Sequence, residues 1–183
     1  MKKLIVLSLL MLVATTSFAQ GLFEQDVVVV EGSFAPLMGV SKIQVEEDWE
    51  ETTIEGMSQA AWLEFRKIEQ PEFNPQYELE NELKPQLSIM LLPAANDKLR
   101  TIGRFLTNAS ESDILMTIHP VNITKKGNCY LNITIRDKMN GQQIVKFSIE
   151  GKGGIFGSMA NLWSDGFKSA GKRLGKLLVK QLR

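Results

Sequence analysis

Few residues in this sequence have the chemistry of a catalytic centre. Its 183 residues include one histidine, His119, and one cysteine, Cys129. They cannot supply the ligands of a Cys/His zinc site, and a nucleophile needs a base beside it. Apolar alternation places the two residues on opposite faces of adjacent predicted strands, ~10 Å apart along the strand direction. We therefore predict no catalytic dyad and expect Cys129 to face the core.

A glycine-rich segment near the C-terminus resembles a phosphate-binding loop only in part. Residues 151–157 read G-K-G-G-I-F-G and lie between a predicted strand and a predicted helix, where helix N-termini bind anions. Phe156 occupies the place of the last glycine of G-x-G-x-x-G. A plain turn is therefore favoured, and the alternative is a small-ligand or anion site at Gly151, Gly153, Gly154 and Gly157.

Two further patterns resemble known sites only in part. Residues 166–173 read G-F-K-S-A-G-K-R, which differs from a nucleotide-binding P-loop because Arg173 stands in place of the magnesium-binding Ser or Thr and because the segment lies inside a predicted helix. The acidic stretch Glu46–Glu51 lacks the glycine-punctuated spacing of a calcium loop. We therefore predict no nucleotide, no metal and no other cofactor.

The N-terminus has the pattern of a secretory signal peptide. Residues 1–19 begin with Lys2 and Lys3, continue with an apolar run over 4–14, and end in Ser17–Phe18–Ala19. The run is shorter than the ~20 residues that a membrane span needs. The predicted mature chain, 20–183, has no cysteine at its start for lipid attachment. We expect it to be exported, periplasmic or secreted, and soluble after cleavage.

Charge is balanced overall but unevenly distributed. The chain has 21 basic and 21 acidic residues, so loss of Lys2 and Lys3 leaves a net charge of −2, which argues against nucleic-acid binding. Residues 20–100 contain 16 acidic and 6 basic residues, whereas residues 101–183 contain 5 and 13. No linker-like segment separates these halves, so 20–183 is predicted to be one charge-polarised domain.

The N-terminal half predicts two short strands and a helix. A β-branched run at 27–30 and alternation around Ile43 and Val45 each predict a strand. Helical spacing predicts an amphipathic helix over 57–69, whose apolar face would contain Met57, Ala61, Phe65 and Ile68.

A second helix should follow and be interrupted by prolines. Asn74–Pro75 is a typical helix start. Pro85 should kink this helix near Lys84, and Pro93 should end it. The segment Leu99–Leu106 fits a helix or a strand, and its glycine and threonine favour the strand.

The three strands that follow alternate clearly enough to fix their register. They are predicted at 113–122, 129–137 and 142–150. Keeping all apolar residues on one face pairs Ile118 with Ile133, and Ile133 with Phe147. The second register also pairs Lys138 with Gln142 around a three-residue loop, whose last residue, Gly141, suits a left-handed conformation.

The last element is predicted as a long helix over 157–182. Its apolar side comprises Met159, Trp163, Ala170, Leu174 and Leu177. Beside this side we predict an interaction surface made of Phe167, Lys168, Gly171, Lys172, Gly175, Lys176 and Lys180. The lysines suit an acidic protein or anionic lipid at a membrane surface, but an ordinary solvated helix face is the favoured interpretation of the lysine row alone. The alternative is that the glycine flank packs internally against the kinked helix over 75–92.

The C-terminal part of the sequence resembles small exported proteins of Bacteroidetes with no assigned activity. The resemblance rests on the segment GKGGIFGSMANLWSDGFKSAGKRLGKLL, which follows two strands around DKMNGQQIVKFSIEG. The resemblance covers residues 99–182. In its order of strands and helices the chain is also similar to the amino-terminal domain of TolB and to the curli-secretion lipoprotein, which are α/β envelope domains that bind partners. The matching positions carry no catalytic role; they are Gly151, Gly153, Gly154, Gly157, Asn161, Leu162, Asp165, Gly171, Leu174 and Gly175.

These patterns together predict an α+β fold. We expect one mostly antiparallel sheet of four to six strands, with two or three helices packed on it, including the long C-terminal helix. The function expected is that of a non-enzymatic cell-envelope protein that acts by interaction or assembly, most simply with another envelope protein. The alternative is the small-ligand or anion binder described above.

Intact mass of the protein isolated from its native host tests the predicted export. Cleavage after Ala19 should leave a chain that begins at Gln20 and carries no acyl chain. A mass that still includes residues 1–19, or one increased by acyl groups, would contradict the prediction.

Overall fold

The computed structural model describes residues 27–183, so the predicted signal peptide lies outside the described residues. Within this range the strands are β1 (Val27–Gly32), β2 (Lys42–Glu47), β3 (Thr53–Ile54), β4 (Met57–Ser58), β5 (Phe105–Thr107), β6 (Ile114–Ile123), β7 (Cys129–Asp137) and β8 (Gln143–Gly151). The α-helices are α1 (Gln59–Glu69), the short α2 (Pro75–Tyr77), α3 (Gln86–Leu99) and α4 (Met159–Gln181). A π-helix, Glu78–Leu83, and two 3₁₀ turns, Ala35–Leu37 and Arg100–Ile102, complete the elements.

The described strands form one mixed sheet with the order β1-β8-β7-β6-β2-β5. β1, β8, β7 and β6 are antiparallel neighbours, whereas β2 runs parallel to both β6 and β5. β3 pairs with β6 in parallel and with β4 in antiparallel fashion. The α+β class is confirmed, but the expected four to six mostly antiparallel strands are wrong, because the sheet has eight strands and is mixed. Strands of two or three residues are too short to show alternation.

The central register is confirmed, but it shifts near one end of each strand pair; between β6 and β7 the shift lies between Pro120 and Asn122. Ile118 pairs with Ile133, and Ile133 pairs with Phe147. The prediction that Lys138 lies opposite Gln142 is wrong, because the register shifts between Ile135 and Arg136. Such a bulge adds one residue to one strand. The loop is therefore 138–141, and Gly141 has the expected left-handed conformation with φ 70°.

Helix α1 begins two residues later than predicted and buries a different face. Trp62 is completely buried, whereas Phe65 is 39% exposed and Ile68 is 79% exposed. The predicted apolar stripe is therefore wrong. The helix contacts the small β3–β4 hairpin and α2 rather than the centre of the sheet, so one aromatic side chain fills its inner side.

Helix α3 contradicts one proline prediction. Asn74 caps α2 by accepting a 3.1 Å hydrogen bond from the Tyr77 N–H, and residues 84–85 separate the π-helix from α3 at the position of Pro85. Pro93 does not end the helix; it lies inside α3, on the exposed side. A proline frees the carbonyl four residues earlier, and here that residue, Ile89, is 57% exposed and accessible to water.

The segment after α3 is only partly the predicted strand. Leu99 ends α3, a 3₁₀ turn covers Arg100–Ile102, and Gly103 is left-handed with φ 68°. β5 begins only at Phe105. The strand prediction for Leu99–Leu106 is therefore right for its last two residues alone.

The core lies between the sheet and the helices α3 and α4. Phe147 of the sheet and Trp163 and Phe167 of α4 are fully buried, and the two α4 rings meet edge to face at 6.0 Å. The long C-terminal helix is confirmed as α4, and Ser158 caps it by accepting a hydrogen bond from the Asn161 N–H.

Cys129 is buried in this core, and burial raises the pKa of its thiol to about 12. Because the thiolate is the reactive form, native Cys129 should react with a thiol reagent at least ~100-fold more slowly than the unfolded chain. Labelling followed by mass spectrometry, with and without denaturant, measures the ratio. Equal rates would place the side chain at the surface.

Candidate interaction surface

The glycines of the 151–157 turn allow close packing of three backbone segments. A Cβ added to Gly151 would lie 2.1 Å from the Gly166 carbonyl oxygen, and one added to Gly153 would lie 1.8 Å from the Lys126 carbonyl oxygen. A Cβ at Gly166 would similarly lie 1.9 Å from the Gly127 carbonyl oxygen. The end of β8, the β6–β7 loop and α4 therefore meet at distances that any side chain would prevent.

The other two turn glycines have surroundings that do not favour an anion. A Cβ at Gly154 would lie 2.6 Å from a carboxylate oxygen of Asp165, which places negative charge against the turn. At Gly157 the neighbour is the Asn161 side chain. These contacts favour the strand-to-helix turn over the small-ligand or anion site.

The glycine flank of α4 packs against α3. A Cβ on Gly171 would lie 2.3 Å from the Leu91 carbonyl oxygen, and one on Gly175 would lie 2.6 Å from the Ala95 carbonyl oxygen. Phe167, on the same flank, is fully buried. Gly171 and Gly175 therefore lie against α3, which is the internal alternative, and Phe167 packs in the core against Trp49 and Trp163.

The four lysines of the predicted surface remain exposed on the outer side of α4: Lys168, Lys172, Lys176 and Lys180. Beside the first two, α3 and α4 enclose a shallow groove of about 280 Å³. Its apolar wall comes from α3 and contains Ile89, Met90, Pro93 and Ala94. Its charged lining consists of Asp97, Lys98, Lys168 and Lys172.

The groove contains residues that sequence reasoning did not find. Ile89 and Pro93 are four residues apart and so occupy one side of α3. Taking Pro93 as the end of the helix concealed this pairing. The sequence signal was the pair of apolar residues at this spacing together with Lys98, five residues after Pro93 in the same helix.

The polar residues considered for catalysis are not brought together. His119 pairs across the sheet with Asn132, whereas Cys129 pairs with Ile123 on the buried side. The His119 Nδ1 atom lies 3.1 Å from the Asp48 carbonyl oxygen and 3.5 Å from its carboxylate. Among residues 27–183, no group of three His, Cys, Asp or Glu side chains could hold a metal ion.

The acidic stretch forms a hydrogen-bonded corner of the fold. The Glu47 carboxylate accepts hydrogen bonds from Trp49 Nε1, at 2.8 Å, and from the Ser88 hydroxyl. The Lys84 ammonium lies 5.7 Å from the Trp49 ring centre. The hydrogen bond between Ser88 and Glu47 connects α3 to β2.

Comparisons with known proteins reveal only distant structural likeness. No family model matches the chain, and no curated protein matches it. Solved structures that match include the PelC dodecamer from Paraburkholderia phytofirmans, at 9% identity and a TM-score of 0.41, covering 86% of this chain and 97% of that one. A structure titled as an uncharacterized protein matches at 13% identity and a TM-score of 0.33, covering 75% and 90%.

Likenesses at these TM-scores settle neither the partner nor the assembly of this chain. The resemblance of residues 99–182 to small exported proteins of Bacteroidetes therefore stays a prediction. Over residues 27–183, no helix combines the length and apolar character needed to cross a bilayer.

A Gly171→Ala substitution tests the backbone packing of α3 on α4. Alanine favours the helix by ~1 kcal/mol, but the added Cβ would meet backbone at 2.3 Å, and overpacking costs ~1–3 kcal/mol. We expect a net loss of stability in chemical denaturation. Gly39→Ala is the control, because a Cβ there meets nothing within 4 Å. Stabilisation by Gly171→Ala would contradict the packing.

Proposed function

We propose that this protein is a non-enzymatic cell-envelope protein that binds an acidic, apolar-bearing segment of another envelope protein in the α3–α4 groove. The observation that carries the proposal is the exposed apolar wall of α3 beside the lysines of α4. Export is supported by the signal-peptide pattern of residues 1–19.

Charge supports an acidic occupant. Lys98, Lys168 and Lys172 line the groove, and Asp97 is the one acidic residue among its lining residues. Lys176 and Lys180 continue the lysine row along α4. Such a surface attracts acidic segments and repels basic ones, which provides specificity and faster association more than raw affinity.

The apolar wall supports a bound protein segment rather than a small solute. Ile89 is 57% exposed, and it lies beside an exposed proline and the partly buried Met90. The groove is open and shallow, unlike the enclosed pockets that small molecules occupy. A helix or extended segment with apolar anchors and acidic flanks matches this shape and charge.

Site-specific photo-crosslinking in the native cell envelope tests the proposal. A photoreactive residue at Ile89 should yield one protein adduct of defined mass, and high salt before irradiation should reduce it. The matched control is Ile68, which is 79% exposed on α1, and should yield no such adduct.

Replacing lysines provides the second arm of the test. Changing Lys168, Lys172, Lys176 and Lys180 to glutamine should remove the Ile89 adduct and leave the melting temperature within ~2 °C. The matched control changes Lys42, Lys67, Lys138 and Lys146. The proposal fails if the two sets behave alike, if no adduct forms at Ile89, or if the adduct is a second copy of this chain or a partner segment without acidic residues.

A further inference from the structure

The loop between β8 and α4 presents two large apolar side chains to solvent. Ile155 is 83% exposed and Phe156 is 88% exposed. They are adjacent at the tip of the segment 152–158, and glycines flank them at Gly154 and Gly157. Single exposed apolar residues are common on protein surfaces, but two adjacent ones that contact so little of their own protein are a distinct feature.

The base of this loop is firmly held. The Gly153 N–H donates a 2.9 Å hydrogen bond to the Asn128 side chain, and Gly153 lies directly against the Lys126 carbonyl. Ser158 caps α4 at the other end of the loop. The tip is therefore presented from a fixed base, which reduces the entropy that is lost when it binds.

The adjoining β6–β7 loop brings positive charge to the same place. Lys125, Lys126 and Lys152 are all exposed. Together the two loops, 124–128 and 152–158, contain these three lysines and no acidic residue. Three carboxylates lie near the loops. Glu55 and Glu150 belong to flanking elements, and Asp165 belongs to α4, with its carboxylate against the backbone of Gly154.

We propose that this end of the protein binds an anionic lipid surface, with Ile155 and Phe156 entering the boundary between headgroups and acyl chains. Lys125, Lys126 and Lys152 would contact lipid phosphates. A lipid surface suits the geometry because the apolar pair protrudes rather than lining a groove, and protruding apolar side chains with lysines in the same and the adjoining loop match an interface that is apolar beneath an anionic layer. The binding is reversible, since two side chains bury little area. This site is separate from the α3–α4 groove.

Vesicle flotation of the mature chain tests the proposal. We expect binding to vesicles of equal parts phosphatidylglycerol and phosphatidylcholine, and little binding to phosphatidylcholine alone. Changing both Ile155 and Phe156 to serine should weaken binding by ~10-fold or more. The matched control changes Ile68 and Met139 to serine, which are 79% and 83% exposed elsewhere, and should bind as the unchanged protein does.

Charge and insertion are measured separately. Changing Lys125, Lys126 and Lys152 to glutamine should weaken binding, whereas changing Lys42, Lys67 and Lys138, which are exposed elsewhere, should weaken it much less. A Phe156→Trp variant should show a blue shift of tryptophan emission on adding anionic vesicles, and a Met139→Trp variant should not. Circular dichroism and thermal melting should be unchanged in every variant, because all the altered side chains lie at the surface.

Four results would overturn the proposal. The first is no binding to anionic vesicles, and the second is binding that the loop changes leave intact. The third is binding that depends on Lys168, Lys172, Lys176 and Lys180 instead, which would make the α4 lysine row the lipid site. The fourth is that a photoreactive residue introduced at Phe156 crosslinks, in the native cell envelope, to a protein and not to lipid, which would make the loop a protein-docking element.

Discussion

The close approach of the α4 backbone to its neighbours is the constraint on which the rest of the structure depends. Gly166 meets the β6–β7 loop, and Gly171 and Gly175 meet the α3 backbone, at distances that exclude a Cβ. The three glycines cost ~3 kcal/mol in helix propensity. Burial of Trp163, Phe167 and Leu174 on the same helix contributes ~1.5–3 kcal/mol for each side chain, so the packing more than offsets that cost.

This packing determines which parts of the protein remain free to bind. Because α3 covers the glycine flank of α4, the lysines of α4 are directed outward, and the α3 side chains beside them form the groove wall. The same contact at Gly127 and Gly153 holds the β6–β7 loop against the turn that presents Ile155 and Phe156. Both proposed binding surfaces thus depend on how α4 packs against α3 and the β6–β7 loop.

The periodicity of apolar residues in the sequence correctly predicted the long strands and the long C-terminal helix. The central register of β6, β7 and β8 and the extent of α4 followed from alternation and spacing, whereas the two register shifts and the length of the β7–β8 loop did not. Features that depend on tertiary context could not be predicted from the sequence. The parallel pairing of β2 needs a long crossover connection, and Pro93 is tolerated inside α3 because its side of the helix is exposed. For the candidate surface, the lysines were found, whereas Ile89 and Ile155 become notable only once the fold shows that nothing covers them.

Lysine reactivity in the intact cell envelope tests the central claim, that the outer face of α4 is a docking surface, most directly. Acetylation of intact cells and of the purified protein, followed by mass spectrometry, compares the two states lysine by lysine. The account predicts that Lys168, Lys172, Lys176 and Lys180 react more slowly in the envelope than in the purified protein, while Lys67 and Lys138, exposed on other elements, react equally in both. Equal reactivity of the α4 lysines in the two states would contradict it.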